Sequence, residues 1–380
     1  MQTIFRVPLA FAILALAACM ALAPARIAVA AAAAPTPSPK AAGVTSTELV
    51  PWDQKGDFAT TLARAKKEKK LVFLDFYATW CGPCKMMDRQ TYSDSAAGAA
   101  AAKFVSRKID AEKGEGIALA QRYKIDSYPT LVIVDAAGAQ VNRKSGFYPP
   151  PQFIRFLDDT REGRTSVASV EKLIAGGKDT YDNRIALGEK AIEAGDWEKA
   201  RAQVDRALTF EPRNAGGRVA DLLLALASGE RAAGQHEGAV ADYRRYLAMF
   251  PGTPRDSEAK TGLAVSLSET GHPEEAVATF KEVVAQKPDD ANLQSALARF
   301  SAALKVGLDD GLAAGKRGVE LTNGSATAYD ALAEIHAARG EWDEAVVASE
   351  RALEKRPNDN YLRGRLEKFQ EGAVANRTPR

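Results

Sequence analysis

Between residues 48 and 161, apolar runs alternate with stretches of mixed polarity. Phe58 to Lys69 suits a helix, and "LVFLDFYA" at 71–78 is a continuous apolar run of the kind a buried strand shows. A helical pattern follows Cys81, Phe104 to Asp110 reads as a strand, and Gly116 to Tyr123 as a helix again. "TLVIVD" at 130–135 is a second buried strand, "AAGA" a turn, "QVNRKSG" an edge strand, and Pro150 to Asp158 a closing helix. Strands separated by helices and ending in a hairpin predict a mixed sheet covered on both faces.

From about Tyr181 the strand signals stop and Ala- and Leu-rich helical patterns take over. Gly195, Ala200, Ala207 and Pro212 lie at offsets 0, 5, 12 and 17. The same offsets recur at Gly234, Ala239, Tyr246 and Pro251, at Gly271, Ala276, Val283 and Pro288, and at Gly340, Ala345, Ala352 and Pro357. A weaker unit offers Gly307, Leu312 and Val319, with Gly324 at its proline position. The preceding helices carry a Leu-small pair, Leu187-Gly188, Leu226-Ala227, Leu263-Ala264 and Leu332-Ala333, which the weak unit replaces by Arg299-Phe300. This pattern resembles the tetratricopeptide repeat, in which stacked helix pairs share a core that no single pair could bury. Five repeats are expected over 181–359, with a capping helix at 360–370 and a tail at 371–380. Trp197 and Trp342 share one turn position and read as packing residues. His236 and His272 fall in turns and His336 on a helix, so nothing gathers the three as metal ligands.

The charge changes little in this picture: 51 basic and 49 acidic residues give a net +2, with no basic block to suggest nucleic acid. The Lys66–Lys70 cluster reads as a solvated helix end. Residues 1–30 differ in kind, with Arg6, an apolar run from Val7 to about Leu22, then small residues, and they read as an export signal. Pro8 and Pro24 bracket about 15 residues, short of the ~20 that a spanning helix needs. Two cleavage patterns overlap. "LAAC" at 16–19 resembles the lipoprotein box and would make Cys19 a lipidated N-terminus, whereas "AVA" at 28–30 fits ordinary signal peptidase. Residues 31–47 read as a flexible linker and 162–180 as a second one.

The candidate chemistry lies in "TWCGPCK", with Cys81 and Cys84 two residues apart. A staple closing so short a loop would restrict the unfolded chain by only ~2 kcal/mol in the chain-entropy model. Zinc wants four ligands, and no second Cys or His pair follows at usable spacing. A working pair has a physical basis: Cys81 falls at the start of a helix, where free N–H groups stabilise a thiolate, so it is the expected nucleophile. Pro83 is acceptable in a first turn because its missing donor has no intrahelical partner. Cys84, one turn in, is the expected resolving thiol.

With "WCGPCK", the acid Asp75 six residues before Cys81, and "SYPT" with Pro129, residues 50–160 resemble the thioredoxin family. The resemblance implies that Asp75 assists proton transfer at Cys84. It also implies that Pro129 is a cis-proline beside the sulfurs, that Tyr128 offers its backbone to a substrate segment, and that Trp80, Gly82 and Pro83 shape the contact surface. The family's kinking proline is replaced by Arg89, and the lysine that often faces the buried acid is aligned with Ser106, one pleat from Lys108. "CKMMDRQTYSD" is instead similar to the C-terminal domain of the bacterial membrane thiol:disulfide interchange protein.

The expected architecture is therefore an α/β thioredoxin fold over 48–161 followed by an all-α repeat solenoid. The expected function is an exported thiol-disulfide oxidoreductase of the bacterial periplasm or envelope, soluble or lipid-anchored. It needs no cofactor beyond the Cys81–Cys84 dithiol and no metal. Protein disulfides or dithiols are its substrates, a membrane protein its electron donor, and a protein or peptide partner occupies the repeats. Two other readings stay open: an envelope scaffold whose thiol turnover is incidental, and a disulfide oxidase or isomerase.

Overall fold

The computed structural model describes residues 49–377; residues 1–30, expected to be an export signal, with Cys19, and the expected linker 31–47 lie outside the described residues. Two compact units divide the chain between Pro212 and Arg213.

The first unit is built on a four-stranded sheet in the order β2-β1-β3-β4. Its strands are β1 (Val72–Tyr77), β2 (Val105–Asp110), β3 (Thr130–Val134) and β4 (Gln140–Ser145). β1 runs parallel to β2 and antiparallel to β3, which forms a hairpin with β4. Alternation along the strands divides the core in two. Val72, Leu74 and Phe76 join Val132 and Val134 against Phe58 and Ala65 of α1 (Phe58–Glu68) and Leu119 of α4 (Glu115–Arg122). Phe73, Leu131 and Ile133 face the other way, onto Met87, Tyr92 and the α5 (Pro150–Arg161) residues Phe153, Phe156 and Leu157. Both central strands are thus sealed, while β4 is largely exposed, as an edge strand should be.

Between β1 and β2 lie α2 (Gly82–Met86) and α3 (Ser95–Ala101). α2 passes directly into a π turn, Met87–Thr91, where the helix widens by one residue per turn. That turn contains Arg89, the position at which the family resemblance implied a kinking proline, and the helix changes form there.

Residues 162–180, expected to be a linker, hold α6 (Val167–Ala175), whose Val170 is fully buried against Ala186 and Leu187. Ser166 and Ser169 close a capping box at its start, a local signal that the hydropathy pattern hid. The first helix pair, α7 (Tyr181–Glu193) and α8 (Trp197–Phe210), also belongs to this unit. Glu193 of α7 accepts from Lys144 of β4 at 2.9 Å, and Glu189 pairs with Arg155 of α5.

The second unit holds four helix pairs: α9–α10 (Arg218–Ala232, His236–Met249), α11–α12 (Asp256–Glu269, Pro273–Gln286), α13–α14 (Ala291–Leu304, Leu308–Leu321) and α15–α16 (Ala326–Ala338, Trp342–Lys355). α17 (Asn360–Arg377) closes the stack with Leu362, Phe369 and Ala373 buried. It takes in residues 371–377 of the segment expected to be a tail. The glycine period has a backbone cause: Gly195, Gly234, Gly271, Gly307 and Gly340 have φ between 60° and 79°, left-handed turns that join the two helices of each pair. The weak unit is a complete pair, with Phe300 buried on Phe280 at 5.4 Å and Arg299 turned toward acids of α15. Its second helix carries Gly311, Gly315 and Gly318 where neighbouring side chains come close.

Candidate redox site

Cys81 caps α2, and its Sγ accepts the Cys84 N–H at 3.1 Å. The two sulfurs form a disulfide, with Cα atoms 5.3 Å apart. A backbone donor aimed at Sγ favours the thiolate over the thiol once the bond is opened. Gly82 and Pro83 are exposed, whereas Cys81 and Cys84 are only 2% and 4% exposed, packed with Ala78 against Tyr77 and Tyr128. The loop thus presents backbone and a proline ring to solvent while sealing the sulfurs in the oxidised form.

Around this loop stand the residues that the sequence singled out. The Tyr128–Pro129 peptide is cis and immediately precedes β3, while Tyr128 meets Trp80 edge to face at 5.9 Å between centroids. Trp80 is 67% exposed. Asp75, in the middle of β1, is 1% exposed.

The ladder corrects one alignment. Ser106 is level with Phe73, and Lys108 is the residue level with Asp75. Ser106 is buried and donates to the Ala101 carbonyl, so it takes no part in the site. Lys108 Nζ lies 2.5 Å from Asp88 Oδ1 and 5.4–5.6 Å from the ring centroids of Trp52, Tyr77 and Tyr92. The Asp88 carboxylate and three aromatic faces thus surround a side chain that is 14% exposed. Burial and the Asp110 charge push the Tyr77 phenol above its ordinary value, with Lys108 opposing.

Sequence reasoning missed two residues. Asp88 follows Cys84 by four positions, the spacing that places both on one helix face. Glu112, beyond the end of β2, accepts the Trp80 Nε1–H; nothing in the local sequence separates it from a loop acid. His336 Nδ1 lies 2.6 Å from Glu341 Oε2, and no group of acids, histidines and cysteines among the described residues could hold a metal.

Comparison with known proteins agrees with this geometry. A family profile described as thioredoxin-like domain matches residues 58–161, and tetratricopeptide-repeat profiles match 230–300 and 325–356. The chain is 36% identical over 100 residues to the thiol:disulfide interchange protein DsbD of Vibrio vulnificus, a match covering 25% of this chain and 17% of that protein. It is 48% identical over 67 residues to thioredoxin-1 of Drosophila melanogaster, covering 18% and 59% respectively. The chain therefore spans less than two thirds of either relative. Among solved structures, YrrB, a TPR protein with an unusual peptide-binding site, aligns with 53% of this chain and 100% of its own at 17% identity and TM-score 0.40. The chain thus carries a thioredoxin-like domain over residues 58–161, followed by tetratricopeptide repeats.

Proposed function

We propose that this chain is an exported disulfide reductase of the bacterial periplasm or envelope, fed by a membrane electron donor, whose repeats hold the client or partner protein. The observation that carries the reading is the Cys81–Cys84 disulfide with Cys84 N–H on Cys81 Sγ, sealed below an exposed Trp80, Gly82 and Pro83.

A donor dithiol opens the disulfide, leaving Cys81 and Cys84 reduced and the donor oxidised by two electrons. Cys81 thiolate then attacks a client disulfide; one client sulfur bonds to Cys81 and the other leaves as thiolate. Cys84 gives its proton to the Asp75 carboxylate and attacks Cys81 Sγ, which restores the disulfide and releases the second client thiolate. Pro129 and the Tyr128 backbone border the approach, and Trp80 flanks it. The Gly82-Pro83 dipeptide, similar to that of reducing family members, favours this direction. The apolar run before residue 30, with Cys19 as a lipid attachment point or "AVA" as the cleavage site, supports export. Stacked repeats provide an extended surface for a protein segment.

The test is the double variant Cys81→Ser, Cys84→Ser in the full chain. Loss of disulfide reduction with repeats still folded supports the reading, and full biological activity without the sulfurs would leave a scaffold.

A further inference from the structure

Cys84 and Asp75 are sealed at 4% and 1% exposure, yet each catalytic cycle requires a proton to leave them. The structure offers a charged route. Lys108 stands level with Asp75 on the neighbouring strand, and residues paired in a parallel ladder project to the same face. Its ammonium is bonded to Asp88, whose side chain is 29% exposed and four positions past Cys84. The π turn Met87–Thr91 contains Asp88 and so sets where this carboxylate meets the sheet. A lysine level with the acid is what the family resemblance implies; Asp88 is not accounted for by it, nor by Cys81–Cys84 packing.

We propose that Asp88 is a positioning residue of this site that, through Lys108, carries the proton of Asp75 to solvent. The inference rests on the redox reading above. When Cys84 thiol has given its proton to Asp75 and bonded to Cys81, Lys108 passes one of its protons to Asp88 and takes the one on Asp75. Asp88 then releases its proton to water. Lys108 ends as it began, Asp75 is again a carboxylate, and the two electrons have gone to the client disulfide. Reduction by the donor dithiol runs the same route inward. The rings of Trp52, Tyr77 and Tyr92 surround the ammonium, and its Nζ lies 2.5 Å from Asp88 Oδ1. The titratable and charged groups around Lys108 are Asp75 and Tyr77 of β1, Asp110 of its own strand paired with Lys113 at 3.3 Å, and Asp88 and Tyr92 from the α2 side.

The test uses the reduced full chain with 5,5′-dithiobis(2-nitrobenzoate), an aromatic disulfide that reports each released thiolate. The first release follows attack by Cys81 and the second follows attack by Cys84, both recorded in stopped flow from pH 5 to 9. Asp88→Asn is expected to slow the second phase about 10-fold or more at pH 7, in the range general acid–base groups contribute, with the first phase within about 2-fold of wild type. Asp88→Glu is expected to restore it. Lys108→Arg keeps the charge but cannot lend a proton, so it is expected to be slow as well. A second phase in Asp88→Asn or Lys108→Arg equal to wild type across the pH range overturns the outlet while leaving the redox reading intact. Two-phase release absent from wild type itself overturns both. Variants whose thermal unfolding matches wild type are compared, and Asp88→Asn, at a part-exposed position, keeps the test open if Lys108→Arg does not fold.

Discussion

The Trp80 indole Nε1–H donates to both carboxylate oxygens of Glu112, at 3.0 and 3.1 Å. This bond ties the exposed ring beside Cys81 to the loop after β2, and the edge contact with Tyr128 holds it from the other side. Glu112→Ala removes the anchor and leaves the sulfurs untouched. A few-fold rise in KM for a protein disulfide is expected, with kcat little changed, because the ring orients substrate without entering the chemistry. Steady-state reduction of a protein disulfide checks it.

Removing both sulfurs separates stability from chemistry. The disulfide closes a four-residue loop, for which the chain-entropy relation gives only about 2 kcal/mol. Cys81→Ser, Cys84→Ser should therefore stay folded, with a modestly lower Tm for the first unit and no measurable thiol turnover. Differential scanning calorimetry beside an insulin-reduction assay reads both.

Two glycines of the second unit should respond with opposite signs to the same substitution. A Cβ on Gly311 would stand 2.7 Å from Ser301 Cβ and 2.8 Å from Ile335 Cδ1, between α13 and α15. The overpacking penalty of about 1–3 kcal/mol outweighs the gain of about 1 kcal/mol in helix propensity. Gly311→Ala should destabilise. A Cβ on Gly364 of α17 meets nothing within 4 Å, so Gly364→Ala should stabilise by about 0.5–1 kcal/mol. Urea unfolding of the two variants checks the contrast.

Asp179 joins the helices of the first pair, accepting from Arg184 Nε and Arg206 Nη2, each at 2.7 Å. The hydrogen bond from Arg184, then that from Arg206, holds its carboxyl far below the ordinary value of 3.8. In the unfolded chain it titrates near 3.8, so below that pH the unfolded state binds the extra proton. The contribution is thus fully present above pH 3.8 and is lost as pH falls toward the folded value. Asp179→Asn should lessen the acid dependence of the Tm of the first unit below pH 4, and thermal scans between pH 2 and 6 measure it.

Much of this was legible in the sequence because it depends on local pattern. The continuous apolar runs at 71–78 and 130–135 became the two sealed strands, and the recurring glycine offsets became left-handed turns between paired helices. What escaped depends on register or on partners distant in sequence. Ser106 and Lys108 lie on the same face of β2, so alternation alone could not say which stands beside Asp75; only the pairing with β1 does. Asp88 and Glu112 are ordinary acids until the fold sets one on Lys108 and the other under Trp80. The helix at 167–175 was hidden because it is short and buries little beyond Val170.

The central claim is that Cys81–Cys84 is a working pair poised to reduce. Its equilibrium potential in the full chain, titrated in dithiothreitol and glutathione buffers at fixed pH, tests that most directly. A value near or below about −230 mV is expected, on the side of thioredoxin at about −270 mV. A value above about −180 mV would contradict the account and turn the electron flow around, toward forming or rearranging client disulfides.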